Sequence, residues 1–308
     1  MKQYILISLM LLKTASLCAQ KKEIVHYNII FSPDLSNRLN TALYPKVVKD
    51  ADIVEGMLKN IYPILRIKRS QDQLDRYSVD FVNKGLISMY KVNTDLLNID
   101  FQRFERQGDR ISYVMARKVP RTLSGDVSFF MSEYRKFNEK ASKSNNGADI
   151  WSYFQSGIDS RIVLPNLVNA KVTQKFRNIM VMLTDGYIEA GIYNKGYDLS
   201  AKKVADFRKS FLKSKSESME SFLSRNKVFK INPVRNPQLK NLEVIVLEMY
   251  DRSLSKTGAA TSHPTDMEIM KVIWTDWMRA SGVKRFELRQ TASNSAEAVK
   301  YVMDFIRN

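Results

Sequence analysis

Two aspartates define the chemistry open to this chain. Asp34 follows an apolar run at 24–31, with Ser32 and Pro33 between, and Ser36 stands two residues further on. Asp185 follows a second apolar run, 176–183, within Thr184-Asp185-Gly186. Carboxylates and a hydroxyl are hard oxygen donors. Brought together, Asp34, Ser36 and Asp185 suit a divalent cation such as Mg²⁺ or Mn²⁺, which takes a few protein oxygens and keeps several waters. A coordination position left open could accept an acidic side chain from a partner. Taken singly, each residue has a plainer use. Asp34 can close the turn after a strand, and Asp185-Gly186 is a common turn pair.

The rest of the chain offers little chemistry. His26 and His263 are the two histidines of the sequence. His26 falls inside the first apolar run, where packing or a satisfied hydrogen bond is expected, and His263 falls in a loop. The sequence contains no Gly-x-Ser-x-Gly elbow, phosphate loop, dinucleotide fingerprint or His-Glu-x-x-His pair. Trp274 and Trp277 share one helix face at i and i+3. They read as core, or, if exposed, as a pair that could stack on a sugar ring.

The elements that must position the two aspartates follow from the hydrophobic pattern. Runs 24–31, 176–183 and 242–250 are rich in apolar residues without regular alternation, as in parallel strands buried on both faces. Segments 75–83 and 96–104 alternate and read as strands pairing at a sheet edge, with 84–95 as their connection. A short strand is expected at 284–289. Helical spacing occurs at 46–65, 126–142, 202–222, 266–279 and 295–306, and in a helix through Trp151, Phe154 and Ile158 that Asp149 is placed to cap. Residues 107–125, 143–147 and 229–239 read as loops. The alternation predicts an α/β fold with a doubly wound, mostly parallel central sheet flanked by helices. No linker divides residues 20–308, so one domain is expected there. In such sheets a ligand site lies at the carboxyl ends of the strands, where both aspartates fall.

The first residues read as an export leader. Met1-Lys2 is a short basic start, 4–12 is nearly all apolar, and Leu17-Cys18-Ala19 precedes Gln20. The run is shorter than the roughly 20 residues that a membrane-spanning helix needs, and no later segment has such a run. Acylation at Cys18 wants a small residue where Leu17 stands, so cleavage after Ala19 is expected. The mature chain would then hold no cysteine, hence neither disulfides nor thiolate metal sites. The Cys-Ala-Gln junction looks bacterial, with the periplasm as the default location. The formal charge of +17 favours acidic partners. Export disfavours nucleic acid and leaves anionic envelope polymers open, with the basic helical stretch from Lys202 to Lys215 as a contact surface or simply a solvated face.

Asp34-Leu35-Ser36-Asn37-Arg38 resembles the first metal-site motif of von Willebrand factor type A (vWA) domains, Asp-x-Ser-x-Ser, and Leu183-Thr184-Asp185-Gly186 resembles that family's later Thr-Asp-Gly loop. The order of strands and helices fits as well, so the resemblance covers nearly all of the expected mature chain. It implies a vWA-like, Rossmann-type fold and recognition of a protein partner at the upper edge of the sheet. That edge would be lined by Asn37, Arg38, Thr184 and Gly186, with Mg²⁺ or Mn²⁺ completing the contact. Two departures bear on the metal. Arg38 stands where the second serine would be, and a buried guanidinium there would compete with a cation for Asp34. Ala148 or Asp149 stands where the family carries a threonine, so Asp149 is either a replacement ligand or only a helix cap. A vWA-like protein-binding module with a degenerate metal site is therefore expected. A metal-dependent hydrolase using the same carboxylates is the enzymatic alternative, and a metal-free binder of anionic polymers the electrostatic one.

Overall fold

The computed structural model describes residues 22–308 apart from 41–46, 68, 70, 71, 118, 144–146, 170, 190–195 and 256. The expected leader with Cys18, the first residue of the helical stretch 46–65 and the middle of the loop 143–147 lie outside the described residues. The strands are β1 (Lys22–Pro33), β2 (Arg76–Val79), β3 (Asn98–Asp100), β4 (Leu167–Val168), β5 (Val172–Leu183), β6 (Leu242–Met249) and β7 (Arg285–Gln290). They form a seven-stranded sheet in the order β3-β2-β1-β5-β6-β7, with β4 pairing β5 off that path. Neighbours are parallel except β2 with β3 and β4 with β5.

Helices cover both faces, as the alternation predicts. On one side lie α1 (Asp50–Lys59), α2 (Ile61–Leu65), α3 (Gly85–Tyr90), α4 (Gln107–Val114), α5 (Leu123–Ser142) and α10 (Ser295–Arg307). On the other lie the short α6 (Ile150–Ser152), α7 (Ala201–Ser214), α8 (Met219–Arg225) and α9 (Asp266–Ala280). Strand β5 explains why its run carries no polar alternation. Ile179, Val181 and Leu183 enter the first core and Met180 and Met182 the second. Each large apolar side chain so buried contributes about 1.5–3 kcal/mol. Trp274 and Trp277 are fully buried, and their indole N–H groups donate to the Gly186 and Asn232 carbonyls at 2.8 and 3.1 Å, so they serve the core. His26 is buried in β1 against the Phe176 ring, its Nδ1 accepting from the Leu74 N–H at 2.9 Å. Burial lowers its pKa. Asn28 of β1 and Asn178 of β5 stand opposite each other on the face of the second core, joined by a 2.7 Å hydrogen bond.

Several expected boundaries shift for local reasons. The stretch 46–65 breaks at Asn60 into α1 and α2, so Pro63 falls in the first turn of a new helix, where its missing N–H is tolerated. The stretch 202–222 breaks where Lys215 turns left-handed and Ser218 caps α8. In 96–104 the strand is three residues long between two 3₁₀ turns capped by Asn93 and Asp100. The expected loop 107–125 contains α4 and the start of α5, and the connection 84–95 contains α3. Among the described residues, no helix is long and apolar enough to cross a membrane.

Candidate functional site

The sheet order places β1 and β5 side by side, with β2 leaving on one side and β6 on the other. Successive crossovers diverge here, and a crevice outside the carboxyl ends of the strands is expected at such a point. Asp34 and Asp185 sit at those two ends. The Asp34 N–H donates to the Leu183 carbonyl at 2.8 Å, which holds the first loop against β5. The 3₁₀ turn Asn37–Leu39 then folds Arg38 back beneath the loop.

Asp34 is fully enclosed by protein donors. Its Oδ1 accepts from the Ser36 N–H at 3.0 Å and its Oδ2 from the Thr184 hydroxyl at 2.8 Å. Arg38 Nε donates to the Asp34 carbonyl at 2.8 Å and lies 3.6 Å from Asp34 Oδ2. The same guanidinium reaches Asp50 Oδ2, on the first residue of α1, and the Leu183 carbonyl, each at 2.5 Å. Arg38 is 1% exposed. Burial opposes its charge, but Asp50 and Asp34 outweigh burial and raise its pKa, so it stays a cation. Burial pushes the Asp34 carboxyl up, against the opposing pull of Arg38.

Asp185 has its own cation. Its Oδ1 accepts from the Tyr187 N–H at 3.2 Å and its Oδ2 from Arg252 Nη2 at 3.0 Å. Arg252 also donates to Glu189 at 3.0 Å and lies over the Tyr187 ring, 3.9 Å from its centre. The Tyr187 hydroxyl donates to Asp266 at the start of α9, and Arg208 of α7 pairs with the same carboxylate. Burial, then Asp266, raises the Tyr187 pKa. A separate cluster lies at the ends of β1 and β2, where the Tyr153 hydroxyl bonds Ser32 at 3.0 Å and Asp80 at 2.7 Å. Burial raises the Asp80 pKa.

The other expected site residues fall as follows. Asp149 caps α6, accepting from the Ser152 N–H at 2.9 Å and the Ser152 hydroxyl at 2.6 Å, so both its oxygens are engaged in its own turn. Ser36 touches Asp34 through its backbone N–H. Of the expected edge residues, Arg38, Thr184 and Gly186 are buried and Asn37 is half-buried. Gly186 is needed as glycine. Its φ is +87°, and a Cβ would lie 2.9 Å from the Met249 methyl. Sequence patterns gave no signal for Asp50, Arg252, Tyr187, Arg208 or Asp266, which arrive from separate loops and helix starts.

This arrangement does not fit a divalent cation. Both Asp34 oxygens already accept protein hydrogen bonds, and both strand-end carboxylates face a guanidinium. A second positive centre between Arg38 and Arg252 would be repelled by both. Among the described residues, no group of three or more His, Cys, Asp or Glu side chains is arranged to hold a metal. The chain matches no family model, no curated protein and no solved structure.

Proposed function

We propose that the chain is an exported, vWA-like binding module that recognises a protein partner at the carboxyl edge of its sheet, with Arg38 in the role a cation would otherwise fill. One observation carries this reading. The two strand-end carboxylates flank the point where the crossovers diverge, and each is paired with an arginine, the buried Arg38 and the partly exposed Arg252. An edge so fixed offers a rigid rim, which lowers the ordering cost of binding. Export rests on the leader-like residues 1–19.

The test uses residues 20–308 immobilised against an envelope extract, with crosslinking and identification of the captured proteins. Ser36→Arg/Asn37→Arg places bulk on the half-buried tip of the first loop. Loss of the captured set in this variant, with unchanged thermal unfolding, supports the reading. The same set captured by parent and variant would sink it. Capture should persist in a chelator, and titration with Mg²⁺ or Mn²⁺ should give no saturable heat. A chelator-sensitive capture would return the metal to the site.

A further inference from the structure

We propose that a notch at the opposite, amino edge of the sheet binds a phosphate monoester. Strand β5 has β1 along one side throughout, from Lys22↔Val172 to Pro33↔Leu183. Its other side is shared. β4 pairs it at Thr173 and Gln174, and β6 joins only from Asn178. Residues 175–177 therefore lie between two partners, and a cavity of about 310 Å³ opens beside them. Its size sits at the lower end of the range for small-molecule sites.

The lining supplies donors and no carboxylate. Lys175 and Lys284 reach it from β5 and from the residue before β7, and Asn166 from the loop before β4. Lys175 Nζ pairs with Glu23 at 2.6 Å and Lys284 Nζ with Glu243 at 3.1 Å. An ammonium has three N–H groups, so each lysine keeps donors beyond the one it uses. The Asn166 Oδ1 accepts from the Phe176 N–H at 2.9 Å, which fixes its Nδ2 end as a further donor. Phe176, Leu164, Pro165 and Val25 give the cavity an apolar wall.

Charge balance selects the ligand. Glu243 meets three cations, Arg177, Lys284 and Arg285, at 2.9, 3.1 and 2.8 Å. Arg177 and Arg285 are further tied to the carbonyls at the end of α10. Among the described residues, and with Lys175 and Glu23 included, four cations pair with two carboxylates. The surplus matches the −1.5 to −2 charge of a phosphate monoester near neutral pH, and the apolar wall suits its organic part.

Titration calorimetry of residues 20–308 tests the assignment, with inorganic phosphate, glycerol 3-phosphate and, as a dicarboxylate of similar charge, malonate. Phosphate and glycerol 3-phosphate should bind, the second more tightly, and both more weakly as salt rises. Lys175→Gln/Lys284→Gln should weaken both by at least about tenfold, and Lys175→Arg/Lys284→Arg should restore most of the affinity. If the glutamine pair does not fold, Lys175→Gln alone gives the same reading. No saturable heat from the parent, or equal affinity in parent and glutamine variant, would overturn the site. Malonate binding as tightly as phosphate would overturn the phosphate assignment, and phosphate binding without glycerol 3-phosphate would overturn the ester.

Discussion

The two ends of the sheet handle charge in opposite ways. At the carboxyl edge, Arg38 lies between Asp34 and Asp50, and Arg252 between Asp185 and Glu189, so each cation meets two carboxylates. Asp34, Arg38, Asp50 and Asp185 are all buried. At the amino edge the ratio inverts, with three cations on Glu243, and Lys175 and Lys284 are about half exposed. A buried, mutually satisfied pair holds its surroundings in place and has no donor to spare. A half-exposed lysine in surplus stabilises little and remains available to a ligand. At the carboxyl edge the cations are shared between carboxylates, whereas at the amino edge the lysines keep N–H donors beyond their ion pairs.

The contrast can be broken most severely at Arg38. Arg38→Ala leaves Asp34 and Asp50 buried together and should cost about 3–5 kcal/mol in denaturant unfolding. Arg252→Ala should cost less, about 1–3 kcal/mol, because the guanidinium is partly exposed and Asp185 keeps its Tyr187 N–H. Glu243→Gln should cost about 1–2 kcal/mol at neutral pH, with a dependence on pH that can be measured. Burial pushes the Glu243 carboxyl up, but Arg177, Lys284 and Arg285 outweigh burial and hold it below its ordinary 4.5. A depressed carboxylate stabilises the fold above its unfolded pKa, and that contribution is lost as pH falls through the folded value. The difference between parent and Glu243→Gln should therefore shrink as the pH drops below 4.5. The smallest effect belongs to the two amino-edge lysines. Lys175→Gln/Lys284→Gln should change stability by no more than about 0.5 kcal/mol while removing phosphate binding.

The central strands were legible because burial on both faces enriches their runs in apolar residues and abolishes regular alternation. That signal located β1, β5 and β6 within a few residues, and with them the loops carrying Asp34 and Asp185. Helices with thin apolar stripes were not legible. In α4 the apolar Ile111 is half exposed while Arg110 is buried, so its pattern resembles a loop. In α3 the single buried residue is Leu86. At the carboxyl edge the aspartates could be read, and so could a pairing of Arg38 with Asp34. The second carboxylate on Arg38, Asp50, could not, and neither could Arg252, because contacts between distant loops leave no periodic trace. The amino-edge notch was hidden for another reason. It exists because β6 begins several residues after β5 does, and no local pattern records the offset between two strands.

The Asn28–Asn178 pair bears on a different alignment, that of β1 with β5. The apolar residues of β1 and β5 would by themselves tolerate a slip of two residues, which keeps every side chain on its own face. Such a slip would part Asn28 from Asn178, which keeps its bonds to Leu164 and Asn241, and would cost about 1–3 kcal/mol for a buried amide left without a partner. The two asparagines thus act as a locking pin for strand alignment. A chain lacking them would lose uniqueness before it lost its core, and misaligned, aggregation-prone sheets would be the first symptom.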